Sequence, residues 1–196
     1  DMVIMQDELA SRANLRTGAE LVNVDIQNNA GAAHSGYPIQ AGDADWGNLA
    51  DLDRLKTTGS WGDYHEVGHN HQRRWWTFEG HEEVTVNIFA AYCLRNLVDN
   101  SPDGWSWSTD KLTTMDKSVS VTSESSYHSY WLTFWMNQAY WFGFDQLRDT
   151  FGTYEDDNDN DPGVLPTTIQ EQRDQWIVRF STQVGHDITG YARDTY

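Results

Sequence analysis

The chain has 196 residues, enough for one domain with a substantial core, and its 10 Trp, 9 Tyr and 7 Phe argue for packed globular structure over disorder. A formal charge of −17 argues against a phosphate-backbone partner, which needs a basic surface, so no nucleic-acid partner is expected. No run approaches the length of a membrane span, and a lone Cys93 excludes an internal disulfide. The chain opens with Asp1, which sets the expectation of a processed product or a fragment of a longer, secreted chain.

In chain order, "DMVIMQDELASRANL" has loose helical spacing, with Met2, Met5, Leu9 and Leu15 as inward positions. In "AELVNVDIQ" the apolar Val22, Val24 and Ile26 alternate with polar residues, the period of a half-buried strand. A short extended segment follows at Tyr37 to Gln40, where Pro38 suits an edge strand. From Gly62 to about Arg74 the pattern predicts a helix, then a turn through "TFEGH" and a second helix from about Glu82 to Val98. Val84, Ile88 and Ala91 form one apolar stripe of that helix and Val86, Phe89 and Cys93 another, so it is expected to be buried on most sides, with Cys93 as filler.

"SSYHSYWLTFWMNQAYWFG" predicts a third, aromatic helix ended by Gly143, in which Trp131, Trp135 and Trp141 read mainly as core. A shorter helix is expected in "FDQLRDTFG", then an acidic loop through "YEDDNDNDPGVLP". Its residues 156–161 offer alternate oxygen side chains for Ca2+, but lack the turn Gly and distal Glu of an EF-hand, so a solvated loop is the favoured reading. Thr168 and Glu171 have capping-box spacing and open a last long helix to Gly185. The fold class expected is mainly α (α+β): one domain over residues 1–196, with a small N-terminal β segment and a helical C-terminal lobe.

The chemistry concentrates in "HEVGH". His65 and His69 stand four residues apart, on one face of a helix, so both imidazoles can reach a single ion. Glu66, one step round, falls beside that ion rather than on it, where a general base of metal-assisted hydrolysis belongs. A third ligand is needed to leave one open position, and Glu79, Glu82 and Glu83 follow within reach. Glu83 is chosen because Asn87, four residues on, shares its face and can hold the outer nitrogen of a ligand His. For the oxyanion of the transition state a donor is sought on the aromatic helix, where Tyr127, His128 and Tyr130 all stand and no spacing rule selects one. His71, among polar neighbours, reads as meeting solvent or a helix end, and Trp105 and Trp107 as the better sugar-stacking candidates.

"HEVGHNHQ" followed by "EVTVNIF" resembles the enhancin and M60-like zinc metallopeptidases, which are gluzincins. "AHSGYPIQ" is similar to a segment common ahead of the motif there, and "WIVRFSTQVGHDIT" to the family's closing helix, so the resemblance covers most of the chain. It implies a gluzincin-like catalytic domain with His65, His69 and Glu83 as Zn2+ ligands and Glu66 as general base. It also implies endopeptidase action on protein or glycoprotein substrates, often mucin-like and O-glycosylated, with an extended substrate pairing along the Tyr37–Gln40 strand. The alternative is a non-catalytic glycan- or protein-binding module that retains the metal site.

Overall fold

The computed structural model describes residues 2–12, 22–24, 33–42, 51–98 and 124–195, with side chains of 124–130 and 194–195 outside that description. Helix α1 (Met2–Leu9) is followed by strands β1 (Val22–Val24), β2 (Ala33–His34) and β3 (Ile39–Ala41). Then come α2 (Leu52–Thr57), α3 (Trp61–His69), α4 (Glu82–Leu97), α5 (Glu124–Phe142), α6 (Phe144–Asn160), a 3-10 turn (Pro162–Val164), α7 (Ile169–Val184) and α8 (Thr189–Thr195). The architecture is mainly helical α+β. No helix among the described residues is long and apolar enough to cross a membrane.

The three strands form one sheet in the order β1-β3-β2, with β3 parallel to β1 and antiparallel to β2. β3 is therefore the central strand, which corrects the edge reading of Tyr37–Gln40. Both its hydrogen-bonding sides are used, so a substrate cannot add there. Pro38 is compatible with this position because it precedes the first strand residue, Ile39, and its missing N–H removes no ladder bond. Ile39 and Ala41 turn inward and pack with Val67 of α3, against Met2, Val3 and Val22. Val24 remains exposed, so the alternation expected of β1 does not extend through it.

α4 is the central helix, buried from Val84 to Cys93 except at Asn87, with α3 lying along one side of it. The close approach depends on Gly68: a Cβ there would meet Val86 Cγ2 at 2.9 Å and Phe89 Cβ at 3.1 Å. α3 ends at His69, five residues before the expected Arg74. His71 explains the early stop. Its backbone N–H turns to the Gly68 carbonyl (2.9 Å), while its ring Nδ1–H donates to the Val67 carbonyl (2.9 Å) that a continuing helix would use. The ring is buried, with Nε2 2.9 Å from Asp7 in the last turn of α1, so of the two surroundings expected for it the structure has the helix end and not solvent.

α1 also ties α3 through Gln6 Nε2 to the Tyr64 carbonyl (2.7 Å). Leu9 is fully buried, Met2 and Met5 partly so, and Leu15 lies outside the described residues. α2, opened by the Asp51 side chain accepting from Arg54 N–H (3.0 Å), was not anticipated. α6 runs to Asn160, where an acidic loop was expected. Asp157 pairs with Arg179, and Glu155 and Asp159 with Arg12 at 2.9 and 3.1 Å, which relieves the charge repulsion along that helix. Residues 156–160 are thus helical and point their oxygens around a cylinder, so the wrap expected for a calcium loop is absent.

The C-terminal lobe packs through aromatic rings. Trp135, Trp176, Phe151 and Phe180 are fully buried, with Trp135 edge-on to Trp176 at 4.5 Å between centroids. Each such side chain contributes about 1.5–3 kcal/mol by burial. Trp141, read as core, is about half exposed. The capping box at α7 is present: Thr168 Oγ1 accepts from Glu171 N–H (3.2 Å) and Glu171 Oε2 accepts from Thr168 N–H (3.0 Å).

Candidate metal centre

α3 carries His65 and His69 on one face, and the first turn of α4 brings Glu83 to them. His65 Nε2 lies 3.1 Å from His69 Nε2 and 3.0 Å from Glu83 Oε2, and His69 Nε2 lies 3.4 Å from Glu83 Oε1. Among the described residues this is the His/Cys/Asp/Glu group whose donor atoms converge closely enough to hold an ion. Two ligands at 2.0–2.1 Å from a tetrahedral zinc lie about 3.3 Å apart, so the three separations fit that ion.

The outer ring nitrogens fix the protonation pattern. His65 Nδ1 is 2.8 Å from Asn87 Oδ1, and His69 Nδ1 is 2.7 Å from Gln72 Oε1. Each amide has only one sensible orientation. Asn87 Nδ2 donates to the Glu83 carbonyl at 2.7 Å, and Gln72 Nε2 donates to the Glu82 carbonyl at 2.7 Å and to Thr85 Oγ1 at 2.6 Å. The amide oxygens must therefore face the rings, and an oxygen only accepts, so both Nδ1 atoms carry the proton. In the neutral rings both Nε2 atoms are then bare lone pairs, converging on a carboxylate. Three acceptors meeting without a donor repel one another unless a cation lies between them.

Protonated, the same imidazoles take the place of a cation: hydrogen bonds from His65 and then His69 hold the Glu83 carboxyl well below the usual carboxylate range, against an opposing effect of burial. Burial pushes the Glu66 carboxyl above its usual range, while the neighbouring His65 and His69 pull it down. His69 is raised: desolvation, the largest effect, lowers it, but Glu83 and Gln72 together outweigh that. The two His side chains are 16% and 13% exposed and Glu83 is 54% exposed, so the centre is walled on the helix side and open on the other. An open position is what a hydrolytic site needs for water and substrate.

The structure thus brings together His65, His69, Glu83 and Asn87, with Glu66 beside them on α3. Glu79 and Glu82 do not join the cluster. Tyr37 is half exposed at the bend before β3. The edge strand β2 packs on α3 together with Ile39 and Ala41 of the central strand β3. Tyr127 and His128 lie on α5, with side chains outside the described residues, and Trp105 and Trp107 lie outside them altogether. Sequence reasoning missed Gln72. Its signal was spacing: three residues past His69, at the helix end, a Gln reaches the outer nitrogen of the preceding His.

Paired imidazoles on one helix and a carboxylate from the next are the donor arrangement of the gluzincin class. The family model described as Peptidase M60, enhancin and enhancin-like matches residues 1–195, and the chain belongs to that family. TRPM8 channel-associated factor 2 of Bos taurus is 40% identical over 74 residues, which make up 37% of this chain and 8% of that protein. TRPM8 channel-associated factor 3 of Mus musculus is 24% identical over 196 residues, covering 97% of this chain and 21% of that protein. The chain matches less than a quarter of the length of these curated relatives. A crystal structure of a functionally unknown conserved protein from Bacillus anthracis str. Ames shares the fold, with a TM-score of 0.74 at 16% identity, over 99% of this chain and 41% of that one.

Proposed function

We propose that the domain is a zinc-dependent endopeptidase acting on protein or glycoprotein chains outside the cell, O-glycosylated mucin-like proteins being the leading substrate class. The observation that carries this reading is the convergence of two bare Nε2 lone pairs and the Glu83 carboxylate at 3.0–3.4 Å, with both outer nitrogens committed elsewhere. His65, His69 and Glu83 would hold the ion. When bound, zinc supplies a Lewis acid that brings the pKa of a water towards neutrality and polarises a peptide carbonyl.

Glu66 acts as the general base. Its carboxylate takes the proton from the attacking water as the new C–O bond forms, then passes it to the departing amine as the C–N bond breaks. Partial burial, which raises its proton affinity, suits it to both halves of that transfer. Asn87 keeps the His65 ring oriented throughout. Glu66→Gln is expected to keep the metal and lose turnover by about 10²–10⁴-fold, read as zinc content beside digestion of casein and mucin. Cleavage at the parental rate would remove Glu66 from the role.

A second reading has its own support. Curated relatives carry the name channel-associated factor, which favours a protein-binding module that retains the metal centre. Zinc uptake without cleavage of casein or mucin by the parent would select it.

A further inference from the structure

Gln72 lies in the turn after α3, and its side chain makes three hydrogen bonds, one to the ligand His69 and two to the start of α4 beside Glu83. Its Oε1 accepts from His69 Nδ1–H at 2.7 Å, and its Nε2 donates to the Glu82 carbonyl at 2.7 Å and to Thr85 Oγ1 at 2.6 Å. Thr85 is held in turn, its hydroxyl donating to the His81 carbonyl at 3.1 Å. Flipping the amide would set N–H against N–H at His69 and oxygen against oxygen at Glu82. Both contacts would be lost together, so the orientation is enforced from two sides.

The two carboxamides of the centre do different jobs. Asn87 belongs to α4, the helix of Glu83, and is anchored on the Glu83 carbonyl. It reaches across to one His, and its anchor lies within its own helix. Gln72 lies on the α3 side with His69, and its anchors are on α4, one of them the residue immediately before Glu83. A single side chain therefore bares the Nε2 of His69 and ties the turn carrying that His to the first turn carrying the carboxylate.

The geometry points to Gln72 as a positioning residue of the metal centre, one that selects the His69 tautomer and sets the His69–Glu83 spacing by clamping the start of α4. This rests on the reading of His65, His69 and Glu83 as metal ligands. Gln72 touches neither the ion nor the substrate, and it acts through His69 and through the backbone next to Glu83. A neutral acceptor at this point also leaves the full positive charge of the ion and its ligands undiminished, which a carboxylate in its place would reduce.

Two substitutions separate the components. Gln72→Met keeps the length and removes all three hydrogen bonds, whereas Gln72→Glu keeps the acceptor for His69 and loses both donors. The 196-residue chain is loaded with Co2+ as a paramagnetic stand-in, and proton spectra are recorded in H2O and D2O beside zinc titrations. The parent is expected to show two exchangeable, hyperfine-shifted ring N–H signals, one from each ligand His. Gln72→Met should lose one of them to solvent exchange and weaken zinc binding by about 10–100-fold. Gln72→Glu should keep both signals and weaken binding less.

Two signals in Gln72→Met with parental zinc affinity would overturn the assignment and leave Gln72 as an ordinary turn contact. Equal weakening in both variants, with both signals retained in each, would overturn it too, because the effect would then come from the backbone alone. Should Gln72→Met fail to fold, Gln72→Glu decides: loss of its His69 signal contradicts the proposal. A parent that takes up neither Co2+ nor Zn2+ would remove the metal reading itself, a result distinct from all of these.

Discussion

At the His65–Glu83 end of the molecule each position is set by a hydrogen bond with one workable direction, whereas around Trp135 and Trp176 position is set by volume. The metal end is half open, built from short polar side chains, and two carboxamides orient its rings. The interior is closed and aromatic, with Trp176 packed on Trp135, Phe151 and Phe180 at centroid distances of 4.5, 5.4 and 5.6 Å. Trp176 Nε1 donates to Gln138 Oε1 at 2.9 Å, whereas the buried Nε1 of Trp135 has no partner among the described residues. The difference teaches that stability and metal affinity belong to separate parts of this fold. They meet where α3 lies on α4.

The sharpest break between the two regions comes from the interior. Trp176→Ala should cost about 3–5 kcal/mol in urea denaturation and leave the zinc affinity of the folded fraction unchanged. A dissociation constant that moved in step with stability would erase the distinction. Glu83→Ala should do the reverse, weakening zinc binding by about 100-fold or more, beyond the usual effect of an outer partner, with little change in metal-free unfolding. Glu79→Ala and Glu82→Ala are its controls and should hold zinc as the parent does. Loss of metal in either would reassign the ligand.

Gly68→Ala tests the junction. The added methyl has Val86 Cγ2 at 2.9 Å and the Val86 carbonyl at 3.3 Å, and the backbone of α4 cannot yield as a side-chain tip can. A stability loss of about 1–3 kcal/mol is expected, accompanied by weaker zinc binding because His69 is pushed from Glu83. Stability lost without metal affinity would show that the helices adjust independently. The smallest effect belongs to α7. Thr168→Ala removes one half of the capping box and should cost about 1 kcal/mol.

Glu171 supplies the other half, and its carboxyl is held below the usual range by N–H and hydroxyl bonds from Thr167 and Thr168. A depressed folded pKa stabilises at pH above the unfolded value, about 4.3, and that contribution fades as pH falls through the folded value. The parent should lose this stability on acidification, and Glu171→Gln should show a flatter profile between those two values. An identical profile would place the acid sensitivity elsewhere.

Features written in neighbouring residues were legible from sequence. His65 and His69 at helical spacing, the return through α4, Asn87 four residues beyond Glu83 and the capping box at Thr168 each leave a local signature. Features decided by distant partners were not. Solvent and a helix end are both open to His71 until Asp7 of α1 folds over it, and residues 156–160 look like a loop until Arg12 and Arg179 pair with Asp159 and Asp157. The central place of β3 depends on two strands, β1 and β2, whose pairing no single stretch reveals. Gln72 was overlooked because its role needs His69, Glu82 and Thr85 in place at once.

The most direct test is an anomalous-scattering map collected at the zinc edge from crystals of the purified chain. A single strong peak within bonding distance of His65 Nε2, His69 Nε2 and the Glu83 carboxylate is the expected result. Crystals grown with zinc that show no such peak, or one ligated by Glu79 or Glu82 in place of Glu83, would contradict the account.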